Sequence, residues 1–420
     1  MGAELAAEAG TLPSRVPARP VDGRPNIILM IGDDHGYPYF GFTGHPTVQT
    51  PNLNALAESG TLFTRVHTTA STCPPSLNTL LTGLYPTQFQ SRMKQLRRTG
   101  HAGLRKHRAS AFVETLPRVL AQRGYVSFQA GKFWDGSATQ AGFTDGTVTE
   151  LEASHHGGDA TFGRDSIEPA LRFIDSNLDR PFFLWFAPML PHTPFNAPER
   201  YRASYVDAKI SATAKSYYAN CTWFDDLVGQ LLRHLEERRL SENTLVVYIS
   251  DNGWDQPEKG LGPGDKGKDT MHEQGFRTPL IFRWPGRVPA GRVFDRFVSA
   301  VDVFPTLLSF AGATEVPPGR LGIDLRPLIE GGDAPIRNEL VGRMHRKVKR
   351  AAIDSYYLTN GRWHYIWNAL DDEEELFDKK RDPEEQVNVR DSHPEVAREL
   401  RERIKSWERE AVAAFGRDKD

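Results

Sequence analysis

The stretch NIILMIGDDHG, Asn26 to Gly36, decides the fold class of this chain. Its first seven residues form a nearly continuous apolar run, which is typical of a strand buried on both faces of a parallel sheet. The acidic pair Asp33 and Asp34 follows this run at once. In open α/β sheets, ligands bind at the carboxyl ends of the strands. The stretch therefore predicts a central parallel sheet and an acidic site at its edge.

Four more apolar runs are suited to buried parallel strands, and helical patterns lie between them. The strand-like runs are YVSFQAG, PFFLWFAP, TLVVYIS and TPLIFRW. The helical patterns are TPNLNALAESG, TLPRVLAQRG, SIEPALRFIDSN and YYANCTWFDDLVGQLLRHL. This alternation predicts an α/β domain with a large, mostly parallel central sheet flanked by helices.

The pattern changes after about residue 335. The segment YYLTNGRWHYIWN predicts a hairpin that turns at Asn360-Gly361, and PEVARELRERIKSWEREAVAAF predicts a final charged helix. Between them, the acidic patch Asp371–Glu375 is interpreted as a solvated turn rather than a metal site. We expect a flexible lead-in over residues 1–24, a main α/β domain over 25–335 and a smaller C-terminal α+β subdomain over 336–420.

Composition points to an ordinary globular chain. The 420 residues are 39% hydrophobic and 25% charged, with a formal net charge of -2, so no bulk charge favours nucleic acid or a membrane surface as a partner. The N-terminus lacks the apolar core of a secretory signal, and no run of 18 apolar residues predicts a membrane span. Cytoplasm is the default expectation, with a periplasmic or secreted location as the alternative for a chain whose leader has been removed.

The chain has two cysteines, and we expect no structural disulfide. Cys221 lies in an amphipathic helical pattern, which predicts a buried thiol. Cys73 lies in STCPPSLNTLLTG, just before a helix whose first turn is predicted at Ser76. The local sequence leaves two interpretations of Cys73 open: a small buried hydrophobe, or a nucleophile at a helix N-terminus.

A second oxygen-rich pair follows another strand. TLVVYISDNG places Asp251 and Asn252 after its apolar run, as NIILMIGDDHG places Asp33 and Asp34. One such pair could be a helix cap, but two pairs that each end a strand are harder to explain in that way. Ligation by oxygen atoms alone suits a hard divalent cation, Ca²⁺ or Mg²⁺, rather than zinc.

Cationic residues also follow predicted strands or lie in a glycine-rich loop. Lys132 and His192 each come after an apolar run, and Lys268 lies in GDKGKDTMHEQG. Together with a divalent metal, these groups describe a pocket for a tetrahedral oxyanion, which indicates sulfuryl or phosphoryl transfer. The HCxxxxxR run of a cysteine-dependent phosphatase is not present in the sequence.

Several longer motifs follow one another in the order of a known family. They are PNIILMIGDDHG, TPNLNALAESGTLFTRVHTTASTCPPSLNTLLTGLYP, GKFW, PFFLWFAPMLPHTPF, VVYISDNG, GKDTMHEQGFRTPLIFRWPG and ELFDKKRDPEEQVNV. In these motifs, from Pro25 to about Asn388, the chain resembles the type I, formylglycine-dependent sulfatases of the alkaline phosphatase superfamily. The resemblance implies an alkaline-phosphatase-like fold and hydrolysis of a sulfate ester to an alcohol and inorganic sulfate.

The resemblance also implies a ligand set for one divalent ion, most commonly Ca²⁺, with Mg²⁺ or Mn²⁺ as alternatives. That set is Asp33, Asp34, Asp251 and Asn252.

For the chemistry, the resemblance implies four more residues. Cys73 would be converted to formylglycine by a formylglycine-generating enzyme. Lys132 and Lys268 would bind the sulfate oxygens, and His192 would face the leaving group. The substrate would be a sulfate ester of a small molecule or a saccharide.

This chain departs from the family pattern at two positions. The usual motif CxPSR has Leu77 in place of its arginine, and the usual GKWHLG has Trp134 in place of its histidine. One interpretation is that other residues take over these roles, with His155, His156 and Arg164 in SHHGGDATFGRD as candidates and His156 as the expected catalytic group. The other is that the cysteine escapes modification. We favour a modified, active enzyme, because the rest of the pocket is retained.

Two rival functions remain open from the sequence. A phosphodiesterase or phosphonate-ester hydrolase on the same fold would use the same metal and cations, so only a panel of esters would separate it from a sulfatase. A non-catalytic sulfoglycan-binding homologue would bind a sulfated ligand and release no sulfate.

Overall fold

The computed structural model describes six stretches of the chain. They are residues 23–98, 109–149, 157–260, 262–313, 315–348 and 351–416. The predicted flexible lead-in lies outside the described residues, except for its last two positions.

Twelve strands and ten helices are assigned in these stretches. The strands are β1 Asn26–Gly32, β2 Thr61–His67, β3 Val126–Gly131, β4 Asp145–Gly146, β5 Phe182–Ala187, β6 Thr244–Ser250, β7 Arg277–Arg283, β8 Arg292–Ser299, β9 Leu340–Val348, β10 Ala351–Thr359, β11 Trp363–Asn368 and β12 Glu373–Asp378. The helices are α1 Pro51–Glu58, α2 Cys73–Thr82, α3 Pro86–Arg98, α4 Leu116–Ala121, α5 Glu168–Asp175, α6 Glu199–Arg202, α7 Ala212–Glu237, α8 Val303–Phe310, α9 Arg326–Ile329 and α10 Pro394–Gly416.

The first eight strands form one sheet in the order β4-β3-β5-β1-β6-β7-β2-β8. All five apolar runs singled out in the sequence are strands of this sheet, and the predicted mostly parallel sheet is confirmed. The expectation that TPLIFRW forms a parallel strand is wrong, because β7 is antiparallel to both β6 and β2. Its five central residues are all buried, and a strand buried on both faces has the same apolar pattern in either direction.

Two hydrophobic cores cover the two faces of the sheet. Alternate residues of β1 divide between them: Ile27 and Leu29 belong to one core, and Ile28 and Met30 belong to the other. Residues of α2, α4 and α8 fill the first core, and residues of α1, α5 and α7 fill the second. A sheet covered by helices on both faces is the layered α/β architecture that the sequence predicts.

The C-terminal segment forms a second, antiparallel sheet in the order β12-β11-β10-β9. The predicted hairpin is confirmed, because β10 and β11 pair across the turn that contains Asn360 and Gly361. One face of this sheet packs against α10 through a core that includes Leu358, Leu400 and Ile404. The acidic patch only partly forms a turn, since its last three residues begin β12.

The small sheet and α10 together confirm the predicted C-terminal α+β subdomain as part of the fold class. The division of the chain near residue 335 falls between α9 and β9, and it stays a prediction.

The described helices reach a length of 26 residues, in α7. Not one of them combines the length and the apolar character needed to cross a bilayer.

Candidate active site and metal centre

The four predicted metal-binding residues meet at the carboxyl edge of the large sheet. β1 and β6 are adjacent and parallel, so the residues that follow them project to the same edge. The residues Asp33, Asp34, Asp251 and Asn252 are all at most 2% exposed. Ligand atoms of the three carboxylates and of Cys73 lie within 4.8 Å of one another. The structure therefore brings together two residue pairs that are more than 200 positions apart in the sequence.

The composition of this cluster fits a hard divalent cation. Oδ2 of Asp33 is buried without a hydrogen-bond partner, which is costly for a carboxylate oxygen unless a cation binds it. The donor set consists of three carboxylates and the amide oxygen of Asn252, and oxygen donors of this kind suit Ca²⁺ or Mg²⁺. The cluster therefore meets the requirements of a divalent-metal site.

Burial and neighbouring charges act differently on two of the carboxylates. Although burial opposes ionisation of Asp34, the ammonium of Lys268 and the ring of His192 hold its pKa well below the usual value. For Asp251, burial raises the pKa, and the attraction of Lys132 is offset by the like charges of the other carboxylates. Crowded carboxylates of this kind repel one another, and a bound cation relieves that repulsion.

Lys132 follows β3 and reaches across the edge of the sheet to this cluster. Its ammonium hydrogen-bonds to Oδ1 of Asp33 and lies 3.3 Å from Oδ2 of Asp251. The preceding Gly131 has a φ of 88°, and a Cβ there would lie 2.2 Å from the carbonyl oxygen of Ala187. Only glycine allows the two strands to approach this closely at the point where the lysine leaves the sheet.

Cys73 is the first residue of α2, with Thr72 as the N-cap. The helix therefore begins three residues earlier than predicted. Pro74 and Pro75 form part of its first turn, which they can do because N–H groups in a first turn have no helical partner. Cys73 thus lies at a helix N-terminus, as the sequence predicts.

The thiol of Cys73 faces the metal-binding residues and Lys268. Its Sγ lies 3.2 Å from Oδ1 of Asn252 and 3.0 Å from Nζ of Lys268. That ammonium is also 2.7 Å from Oδ1 of Asp34. Burial first, and the carboxylate of Asp251 second, raise the pKa of the thiol well above its usual value, although both nearby lysines oppose this shift.

His192 lies in the loop after β5 and also reaches the cluster. Its Nε2 is 3.5 Å from Oδ2 of Asp34, and its side chain is 13% exposed. Its Nδ1 is 2.7 Å from the carbonyl oxygen of Thr193. Because that carbonyl can only accept a hydrogen bond, Nδ1 carries a proton and Nε2 is the nitrogen that faces the site.

The candidates from SHHGGDATFGRD have different outcomes. His155 and His156 lie outside the described residues, so the expected catalytic role of His156 stays a prediction. Arg164 lies in a described segment. It donates hydrogen bonds to the carbonyl oxygen of Met189 at 2.9 Å and to that of His192 at 2.8 Å. Arg164 therefore stabilises the loop after β5 that carries His192.

The two departures from the family motifs lie in an apolar environment. Leu77 is 1% exposed, one helical turn after Cys73, in a hydrophobic core that also contains Phe133 and contacts Trp134. The indole of Trp134 lies against the backbone of Gly157, where an added Cβ would be 2.3 Å from the ring. Leu77 is thus enclosed in a hydrophobic core rather than open to solvent.

From this packing we expect Leu77→Arg to lower activity or stability. The variant would place a long cation in a filled apolar core, at a cost of roughly 1–3 kcal/mol for overpacking, together with an unpaired charge. Thermal unfolding and sulfate release measure the effect, and the volume-conserving Leu77→Met serves as the control. A large gain of activity in Leu77→Arg that tracks the aldehyde content of the protein would show instead that Leu77 prevents modification.

The sequence analysis missed two polar residues of α7 that support the site. The hydroxyl of Tyr217 donates to the carbonyl oxygen of Asp34 at 2.8 Å. The amide of Asn220 donates to the carbonyl oxygen of Pro191 at 3.1 Å and to that of His192 at 3.4 Å. Both side chains are fully buried. A signal was available, since an asparagine on the apolar face of a predicted helix needs a buried partner.

Sequence comparison finds matches along most of the chain. The profile of the Sulfatase family matches residues 25–313, and the profile of the family described as N-sulphoglucosamine sulphohydrolase, C-terminal, matches residues 264–410. N-acetylgalactosamine-6-sulfatase from Canis lupus familiaris is 31% identical over 371 residues, which cover 74% of this chain and 68% of that protein. Arylsulfatase A from Homo sapiens is 26% identical, over 93% of this chain and 89% of that protein.

Solved structures with a similar fold are also found. A solved structure of a protein in complex with its substrate, D-glucosamine-2-N,6-O-disulfate, superposes with a TM-score of 0.77. It is 22% identical in sequence, and the match covers 94% of this chain and all of the other chain. At this identity the likeness concerns the fold alone.

Proposed function

This chain belongs to the sulfatase family and is a sulfuric ester hydrolase, and we propose that it removes sulfate from a saccharide through a formylglycine formed from Cys73. One observation carries the proposal. The thiol of Cys73 lies within about 4 Å of four polar groups. They are the carboxylates of Asp33 and Asp34, the amide of Asn252 and the ammonium of Lys268. A nucleophile at this position would be surrounded by the groups that sulfuryl transfer needs.

The net charge of the cluster supports a role in anion chemistry. Three carboxylates, Asp33, Asp34 and Asp251, face the two ammonium groups of Lys132 and Lys268. A bound divalent cation would turn the single excess negative charge into a single excess positive charge. A sulfate monoester carries one negative charge, so it would be attracted to the loaded site.

We propose that the divalent ion is Ca²⁺ and that Asp33, Asp34, Asp251 and Asn252 hold it, since all their donor atoms are oxygens. When bound, the ion would supply Lewis-acid chemistry at this site, which stabilises negative charge on nearby oxygens. The aldehyde hydrate of formylglycine would supply one hydroxyl whose oxygen attacks sulfur while the S–O bond to the alcohol breaks. Deprotonation of the second hydroxyl would then re-form the aldehyde C=O and break the C–O bond to sulfate, which leaves.

The remaining roles fall to groups of the chain itself. Lys268 would orient the nucleophile, because its ammonium already lies 3.0 Å from Sγ of Cys73. Lys132 would bind sulfate oxygens that carry the charge of the transition state. His192 would pass the proton on Nε2 of its imidazolium form to the leaving oxygen, since Nδ1 is held by the carbonyl of Thr193.

The proposal of a saccharide substrate is supported by the relatives. One of them is named for a sulfated amino sugar, and a protein of the same fold has a sulfated glucosamine as its substrate. The match of residues 264–410 to a sulphoglucosamine sulphohydrolase profile points the same way.

A panel of esters tests this proposal. Protein co-expressed with a formylglycine-generating enzyme is incubated with 4-nitrophenyl sulfate, with 6-O-sulfated glucosamine and galactosamine, and with phosphodiester and phosphonate-ester analogues. We expect inorganic sulfate to be released fastest from a sulfated sugar. Faster turnover of the phosphodiester or phosphonate would favour the rival hydrolase, and binding of sulfated sugar without any release of sulfate would favour a non-catalytic binding protein.

A further inference from the structure

The loop that carries Lys268 is held by the C-terminal subdomain. We call residues 264–276 the lysine loop; it connects the segment after β6 to β7. Lys268 lies at its tip, where the hydroxyl of Thr270 donates to the carbonyl of Gly267 at 2.8 Å. The amide of Asp269 donates to the carbonyl of Ser71 at 2.9 Å, next to the Cys73 turn. The loop is also supported from the side of the C-terminal subdomain.

That support comes largely from one residue, Glu385, which follows β12 and is 4% exposed. Its Oε2 lies 3.0 Å from Nδ1 of His272 and accepts from the amide of Glu273 at 3.2 Å. Its backbone carbonyl accepts from Nζ of Lys266 at 2.7 Å. Glu385 therefore contacts the lysine loop on both sides of Lys268, two residues before it and four to five residues after it.

Other groups of the small sheet complete this contact. Nε2 of His364 lies 2.8 Å from the carbonyl of Met271. Nζ of Lys379 lies 2.9 Å from Oε1 of Glu385 and 2.8 Å from Oε2 of Glu273. Burial opposes the charge of Glu385, but His364, His272 and Lys379 lower its pKa to about 2. The carboxylate is thus ionised at neutral pH, and its partners lie on the lysine loop, on β11 and directly after β12.

We propose that Glu385 is a positioning residue for catalysis, whose carboxylate holds the lysine loop at His272 and Glu273 and so keeps the ammonium of Lys268 against Asp34 and the nucleophile at position 73. The inference rests on the role proposed above for Lys268. It assigns a catalytic purpose to the C-terminal subdomain, which contributes no residue to the described cluster around Cys73.

The test combines single variants with a double-mutant cycle. Sulfate release from 4-nitrophenyl sulfate is measured for Glu385→Ala, for the conservative Glu385→Gln and for Asp391→Ala. Asp391 is the control, because it lies in the same subdomain with a side chain that is 95% exposed. We expect Glu385→Ala to lower kcat by about 10–100-fold with a smaller change in KM. Glu385→Gln keeps one acceptor oxygen and should lose less, and Asp391→Ala should match the wild type.

The cycle separates positioning from a general effect on the fold. In a Lys268→Ala background, assayed at high enzyme concentration, Glu385→Ala should cause no further loss, because the group that it positions is gone. Equal losses in both backgrounds would overturn the inference. Amide hydrogen exchange of the lysine loop gives a second measure, and we expect the amide of Asp269 to exchange at least about tenfold faster in Glu385→Ala than in wild type; unchanged exchange would also overturn the inference.

The outcomes also distinguish this inference from the proposed function. If Lys268→Ala keeps full turnover, the role proposed for Lys268 is wrong. If Lys268→Ala is impaired while Glu385→Ala behaves like Asp391→Ala, only the positioning role is wrong.

Discussion

An Asp251→Ala variant is expected to lose its bound divalent cation and, with it, about 10²–10³-fold in turnover of sulfate esters. Asp251 is fully buried, and its Oδ1 accepts from the amide of Asp34 at 3.2 Å while its Oδ2 faces Lys132. Removing it takes away one of three anionic donors, so the charge that attracts the cation falls by a third.

Metal content per chain and the rate of sulfate release are measured together. Asp251→Asn keeps a neutral oxygen in place and should retain more metal than the alanine variant. Asp295→Ala is the matched control, because Asp295 lies on β8 with a side chain that is 71% exposed. Thermal unfolding shows whether each variant is folded at the assay temperature. Wild-type metal content and turnover in Asp251→Ala would refute the assignment of the ligands.

The metal-binding residues could be predicted because their signal is local. Each acidic or amide pair directly follows an apolar strand, and parallel neighbours in an α/β sheet bring such pairs to one edge. Lys132 and His192 follow strands in the same way, and the structure places both in the cluster. The prediction needed only the strands and the rule that relates their ends.

Three strands of the sheet could not be predicted in this way, and the shortest of them, β4, has only two residues. β2 contains Arg65 and is half-buried at its centre, and β8 is exposed over much of its length at the edge of the sheet. A strand that is covered on only part of its surface lacks a continuous apolar run. Its position is decided by pairing with distant segments, which the local sequence does not encode.

The residues that hold the loops of the site in place were harder still to predict. The loops of the site are held by hydrogen bonds with Tyr217, Asn220 and Glu385, and Glu385 is 113 positions away from His272. The segment RDPEE, which contains Glu385, has the composition of a solvated turn. Only the folded chain shows that the side chain of Glu385 is buried. Long-range polar contacts of this kind depend on the packing of one subdomain against another.

The largest effect is expected at Cys73. Cys73→Ala should reduce turnover of sulfate esters by roughly 10⁶-fold, which is the order of loss when a hydrolase is deprived of its nucleophile. The metal-binding residues are untouched, so the variant should keep its divalent cation. Cys221→Ala is the control, because that thiol is also buried but lies in α7, in the other core.

A Cys73→Ser variant separates formylglycine chemistry from simple nucleophilic displacement. A hydroxyl in this position, near Lys268 and Asn252, can attack sulfur once, but its sulfate ester has no second hydroxyl on the same carbon with which to expel sulfate. We therefore expect at most one alcohol released per chain from 4-nitrophenyl sulfate, followed by a halt, in variant protein that peptide mass shows to be unmodified. In the wild type, the steady-state rate should rise in proportion to the aldehyde fraction measured by peptide mass across position 73. Sustained turnover by wild-type protein whose Cys73 is entirely unmodified would overturn the proposed nucleophile, because a thiol likewise lacks the second hydroxyl.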